Sequence, residues 1–106
     1  MKEYRVEITD EALGDMEQLY SYISNVLLSP QNAMGQYNRI ASEILSLAQF
    51  PERYRIIDSD FGRSMGLRRM LVDRYSVFYV VEQDRVVVTA VLYSASDLEA
   101  RLKRLK

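Results

Sequence analysis

The period of the apolar residues changes near the middle of the chain, and this change constrains the fold more than any other feature. From residue 10 to about residue 49, apolar side chains recur at spacings of three and four, which is typical of amphipathic helices. Pro51 ends this pattern, and over residues 66–93 the period is two, which is typical of strands. A helical first half followed by several strands predicts an α+β domain.

The first half predicts a strand and two helices. Residues 4–8 alternate and form a short strand. Thr9 caps a helix over residues 10–28, whose first turn carries Asp10 and Glu11. Ser29 and Pro30 start a second helix that runs to about residue 49. Because almost no linker separates the two helices, they must fold back as an antiparallel hairpin.

The second half predicts a sheet whose consecutive strands pair antiparallel. We predict strands over residues 66–72, 75–82 and 85–93, with tight turns at 73–74 and 83–84. Residues 54–57 are a weaker strand candidate, and residues 61–64 are a predicted loop. Ser96 and Glu99 form a capping box for a short last helix.

Residues 1–106 therefore form one α+β domain. An N-terminal strand is followed by an antiparallel helical hairpin on one face of a mainly antiparallel sheet of about four strands, with a short C-terminal helix.

The predicted sheet is apolar on both faces. In residues 75–82, Val77 and Tyr79 lie on one face and Phe78 on the other. In residues 85–93 the alternation places two apolar groups on opposite faces, Val86, Val88 and Leu92 on one and Val87, Val91 and Tyr93 on the other. The helical hairpin covers one face only, so either the tail helix or a partner chain covers the other.

Composition removes several kinds of chemistry. The chain has no cysteine, which excludes disulfides and thiolate nucleophiles, and no histidine, the commonest general base. We predict no cofactor. We also predict no metal site, because the carboxylates of the first helix (Asp10, Glu11, Asp15 and Glu17) look like a solvated face, with residues 11 and 15 toward solvent. The first residues contain no apolar targeting segment and the longest apolar run has five residues, which predicts a cytoplasmic protein without a membrane partner.

Several short motifs in order resemble the RelE/ParE superfamily of type II toxin–antitoxin toxins, including its ParE-like, or plasmid stabilisation, members. After the strand and helical hairpin come Pro51-Glu52, then residues 61–63 (Phe-Gly-Arg), residues 66–68 (Gly-Leu-Arg) and residues 75–81, which resemble the family's Tyr-x-Val-x-Tyr strand. Asp97 stands where the family often has a basic-Asp pair. The resemblance covers nearly the whole chain and implies the RelE/ParE fold.

The resemblance implies a partner and two alternative activities. ParE-like members are associated with inhibition of DNA gyrase, whereas RelE-like members cut mRNA on the ribosome with a cluster of basic residues. Here the lysines (Lys2, Lys103 and Lys106) all lie outside the predicted sheet, and the net charge is −1. We therefore expect a toxin that acts by binding, is neutralised by a small cognate antitoxin and targets gyrase. The alternatives are a ribosome-dependent mRNA interferase and a non-toxic remnant that still binds an antitoxin.

Arg68 matches the family's Gly-x-Arg and is the strongest candidate for a functional residue that the resemblance implies. As a functional residue it binds an anion or the antitoxin; as a structural one it pairs with a carboxylate such as Glu52 or Asp58. If the chain is an enzyme, Arg68, Arg69 and Tyr93 are the weak catalytic candidates. The expected partner-binding residues are Arg68, Arg63, Arg74, Tyr75 and Tyr93, with Arg55, Arg63 and Arg74 expected near Arg68. We expect no direct nucleic-acid contact except through the antitoxin or ribosome, and the assembly is a homodimer or a toxin–antitoxin hetero-oligomer.

Overall fold

A computed structural model of the chain describes residues 2–93. The predicted C-terminal helix and the capping box of Ser96 and Glu99 lie outside the described residues. The strands are β1 (Arg5–Ile8), β2 (Arg68–Val72), β3 (Tyr75–Glu82) and β4 (Arg85–Leu92), and the α-helices are α1 (Asp10–Ser21), α2 (Pro30–Leu45) and α3 (Asp60–Met65).

The helical hairpin is confirmed, with differences at the helix ends. Thr9 caps α1, since its hydroxyl accepts a hydrogen bond from the amide of Ala12 at 3.1 Å. The predicted helix over residues 10–28 is divided, because α1 continues as a π-helix, Tyr22–Val26. Pro30 is the first residue of α2, as predicted, but the side chain of Ser29 makes no capping hydrogen bond.

The sheet has the order β1-β4-β3-β2. The consecutive strands β2, β3 and β4 pair antiparallel, as predicted, and β1 joins the edge of β4 in parallel. The predicted two-residue turns are present, and each begins with a non-glycine residue at positive φ, 55° at Asp73 and 49° at Gln83. The α+β prediction is confirmed, with a mixed sheet.

The segment between the hairpin and β2 differs from the prediction. Residues 61–64 were predicted as a loop but lie within α3. Ser59 caps this helix, since its hydroxyl accepts a hydrogen bond from the amide of Gly62 at 2.9 Å. Gly66 ends α3 with a φ of 67°, a left-handed conformation that glycine adopts without strain. The weak strand candidate at 54–57 is reduced to a single bridge between Ile56 and Arg68.

The main core lies between the helical hairpin and one face of the sheet. Its largest fully buried side chains include Ile40 of α2 and Tyr79 of β3. On the opposite face, Phe78 and Ala90 are buried in a smaller cluster with Leu67, and Ile57 packs against it. The segment before β2 therefore covers part of the second face, while Leu71 on that face remains 60% exposed.

A β-bulge in β4 overturns the predicted face assignment of its last residues. Phe78 pairs with Ala90 while the next residue, Tyr79, pairs with Val88, so Thr89 is the extra residue. The bulge reverses the alternation, and Val91 joins Val86 and Val88 in the main core. The prediction that Leu92 would share this face was wrong, because a bulge shifts the period of two by one residue.

Candidate functional site

A concave surface opens between the helical hairpin and the end of the sheet that carries the β2–β3 turn. We call it the hairpin groove, and its volume is about 1080 Å³. It is lined by residues of α1, the π-helix, α2, the β2–β3 turn and the end of β4. The parts discussed below are its apolar floor (Leu19, Ile23 and Val91), its tyrosines (Tyr22, Tyr75 and Tyr93) and its polar wall (Gln36, Arg39, Asp73 and Arg74).

The floor depends on the bulge in β4 and on a buried carboxylate. Asp15 is only 7% exposed, and its carboxylate accepts a hydrogen bond from the amide of Val91 at 3.0 Å. This contact satisfies a backbone donor just beyond the bulge and ties α1 to β4. The prediction that Asp15 faces solvent was wrong, since this carboxylate is buried and accepts the hydrogen bond of a backbone amide in β4.

Three tyrosines line the groove. Tyr75 is buried, and its ring meets that of Tyr93 edge to face, with centroids 5.5 Å apart and planes at 77°. Burial, followed by the neighbouring Tyr93 and Tyr22, raises the pKa of Tyr75 above its usual value. Because Tyr22 is 53% and Tyr93 55% exposed, much of the aromatic surface remains accessible to a partner.

The polar wall is held by the first residue of the β2–β3 turn. The carboxylate of Asp73 accepts hydrogen bonds from the guanidinium of Arg39 at 2.6 Å and from the amide of Gln36 at 3.0 Å. These hydrogen bonds, with that from Arg39 dominant, lower the pKa of Asp73. Arg74 follows directly in the turn and makes no hydrogen bond or ion pair within residues 2–93. The turn therefore carries the carboxylate of Asp73, which is paired with Arg39, and the guanidinium of Arg74, which has no partner among residues 2–93.

Arg68 lies at the other end of β2 and bonds to the protein itself. Its guanidinium donates to the carbonyls of Glu52 and Tyr54 at 3.2 and 2.6 Å, and it lies 3.7 Å from the Glu52 carboxylate. Its side chain is 16% exposed. Nearby, the hydroxyl of buried Tyr79 donates to the carbonyl of Pro51 at 2.6 Å, and burial raises the pKa of Tyr79 to about 12. These bonds fasten residues 51–54 to the sheet.

The other candidate arginines differ in their positions and partners. Arg69 points to the opposite face and donates to the hydroxyl of Ser76 at 2.8 Å. Arg63 pairs with Asp58 and with Asp60 at the start of α3. Arg74 is separated from Arg68 by the length of β2, whereas the backbone of Arg55 lies beside β2 and accepts from the amide of Arg69 at 3.3 Å.

The structure thus brings together only part of the predicted set. Tyr75, Tyr93 and Arg74 share the hairpin groove, while the remaining candidates lie elsewhere. Sequence reasoning missed Tyr22 and Arg39 as members of this site. Tyr22 lies in the predicted first helix but outside its apolar stripe. A tyrosine beside such a stripe is the one sequence signal that could have indicated its place in a binding site.

Two further observations concern the described part of the chain. Across residues 2–93, His, Cys, Asp and Glu form no cluster of three that could hold a metal ion. Over the same range no helix has the length and apolar character needed to span a membrane.

Comparison with solved structures defines the class of fold. A chain of the chromosomal ParDE TA system from P. aeruginosa superposes with a TM-score of 0.74 at 17% identity, covering 86% of this chain and 96% of that chain. The fold is therefore that of a ParE-like α+β protein. A comparison with curated protein sequences finds no match.

The family follows from the sequence itself. Residues 6–98 match the family model described as the ParE toxin of the type II toxin-antitoxin system parDE. This match covers most of the chain, so the chain belongs to the ParE toxin family. The RelE/ParE resemblance of the short motifs is confirmed.

Proposed function

We propose that this chain acts by binding as the toxin of a type II toxin–antitoxin pair, that a cognate antitoxin neutralises it, and that its target is DNA gyrase. Membership of the ParE toxin family supports the toxin class. The structural relative comes from a ParDE system, which supports an antitoxin partner.

The observation that supports the proposal is the set of residue types that line the hairpin groove. It combines an apolar floor with exposed tyrosines and an arginine, the residue types that supply most of the binding energy in protein interfaces.

The placement of the weak catalytic candidates favours binding over RNA cleavage. Cleavage by 2′-hydroxyl attack needs an acid, a base and cations at one phosphate. Arg68 and Arg69 point to opposite faces of β2, and Arg68 is held by backbone carbonyls. Tyr93 contacts Tyr75 in β3, whereas Arg68 pairs with Tyr79, four residues further along the same strand. Four residues of a strand span about 13 Å.

Induced expression of the chain in bacteria tests the proposed target. We expect incorporation of labelled thymidine to fall before that of uridine or leucine, because blocked gyrase stops replication first. Co-expression of the small protein encoded beside the toxin gene should restore growth.

Two other outcomes would contradict the proposal. An early fall in leucine incorporation that Arg69→Ala and Tyr93→Phe abolish would favour the mRNA interferase. Normal growth with soluble, folded protein would favour the non-toxic remnant.

A further inference from the structure

We propose that residues 94–106 fold back as a helix over the second face of the sheet, the face away from the helical hairpin, and cover it between Leu92 and Leu71. This inference goes beyond the proposed function and does not depend on it. It decides between the two covers that the sequence leaves open for this face, the tail of the chain itself and a partner chain.

The uncovered part of the second face lies at the end of the sheet where β4 finishes. Leu71 of β2, Ser76 of β3 and Leu92 of β4 are paired side by side across the three strands, so they form one row on this face. Leu71 is 60% exposed and Leu92 is partly buried, whereas Phe78 in the next row is buried under the segment before β2. The row from Leu92 to Leu71 is therefore the gap that this segment leaves.

The gap is suited to an apolar cover. Ser76 is the polar residue of the row, and its hydroxyl accepts a hydrogen bond from the guanidinium of Arg69 at 2.8 Å. Among the described residues, no buried side-chain nitrogen or oxygen lacks a hydrogen-bond partner. An apolar helix laid over the row would remove Leu71 and Leu92 from water without leaving a buried polar group unpaired.

The sequence that follows β4 has the pattern of such a helix. Ser96 and Glu99 form a capping box, and leucines follow at helical spacing, at Leu98, Leu102 and Leu105. A helix of this length is marginal in water by itself and requires an apolar surface to pack against. The row that ends at Leu92 is such a surface, and it lies two residues before this segment begins.

The dimensions of the segment and of the gap agree. Leu98 and Leu105 are seven residues apart, which is about 10 Å along a helix. The row from Leu92 to Leu71 crosses two spacings between neighbouring strands, which is also about 10 Å. Residues 93–97 are a connection of ordinary length for reversing the chain direction. A helix that crosses β3 from β4 toward β2 therefore sets its first leucine near Leu92 and its last near Leu71.

Engineered disulfides test the inference, since the chain has no cysteine of its own. In the full chain, Leu71→Cys is combined with Leu105→Cys, with Leu102→Cys or with the matched control Ala100→Cys, and oxidation is followed by non-reducing electrophoresis and mass spectrometry. One of the two leucine positions should form the disulfide at least about tenfold faster than Ala100→Cys. A disulfide needs Cα atoms within about 7 Å, and residue 100 lies on the other side of the predicted helix.

Three outcomes of the oxidation would overturn the inference. Disulfides that join two chains would assign the face to a second copy. Faster closure of Leu102→Cys with Leu27→Cys, at the rim of the hairpin groove, than with Leu71→Cys would place the segment in the groove. Equal rates at Ala100→Cys and at the leucine positions would show that the leucines do not pack on the sheet.

Alkylation of the single variant Leu71→Cys by iodoacetamide is the second measurement, should a double variant not fold. Adding Leu102→Asp should raise the rate about tenfold, the protection given by a cover that is closed about nine-tenths of the time. Ala100→Asp, on the other side of the helix, should leave the rate unchanged. An equal rate in Leu102→Asp would overturn the inference, and a rate that then falls on adding the protein encoded beside the gene would assign the face to that partner.

Discussion

The hydroxyl of Tyr79 provides a prediction whose sign depends on pH. It donates a 2.6 Å hydrogen bond to the carbonyl of Pro51 from a side chain that is fully buried. Tyr79→Phe removes this bond and leaves the carbonyl without its donor, which should lower the free energy of unfolding by about 1 kcal/mol at neutral pH.

Raising the pH should cancel this advantage of the wild type. Burial raises the pKa of Tyr79 from 10.0 to about 12. Between these values the unfolded chain releases the phenol proton more readily than the folded chain, so ionisation favours unfolding. At about pH 11 the wild type should have lost about 1.4 kcal/mol relative to Tyr79→Phe, which cannot ionise at this position. Stability from this group is complete below pH 10 and is lost as the pH rises through 12.

Urea denaturation followed by circular dichroism, at several pH values between 7 and 11, measures the difference directly. All other tyrosines are common to both proteins and largely cancel in the comparison. The wild type should be the more stable protein near pH 7, the difference should vanish between pH 10 and pH 11, and Tyr79→Phe should be slightly the more stable protein at pH 11. A difference that stays constant over this range would refute the argument that the folded chain retains the proton.

Five further substitutions at four positions test local features through the free energy of unfolding in urea. Asp15→Ala removes the acceptor of the amide beyond the bulge and should cost about 2 kcal/mol, with faster exchange of that amide. Gly62→Ala places a Cβ 2.6 Å from the carbonyl oxygen of Ile57 and should cost about 1–3 kcal/mol, whereas Gly14→Ala, in open space within α1, should stabilise by about 0.5–1 kcal/mol. Gln83→Gly relieves a positive φ and should stabilise by about 1 kcal/mol, while Gln83→Ala should not.

The strands and the hairpin were predictable because their signals are local. Thr9 caps α1, Pro30 starts α2, and the two-residue turns separate runs of apolar residues that are long enough to be strands. The short helix α3 also had local signals, Ser59 before it and Gly66 after it, but its six residues are too few to show a period.

The bulge and the groove were not predictable in the same way. Residues 88–91 contain no glycine or proline to mark a bulge, and the shift at Thr89 appears only in the pairing of β4 with β3. Asp15 was assigned with Glu11 to a solvated carboxylate face, although it lies three residues after Ala12 and four before Leu19, at the spacing of the buried stripe of α1. The groove combines residues distant in sequence, so its membership depends on tertiary structure.

Supercoiling of relaxed plasmid by purified DNA gyrase tests the central claim most directly. We predict that the purified chain inhibits the reaction in proportion to its concentration and that prior mixing with the protein encoded beside its gene restores activity. Full supercoiling at a large molar excess of folded, antitoxin-binding chain would contradict gyrase as the target.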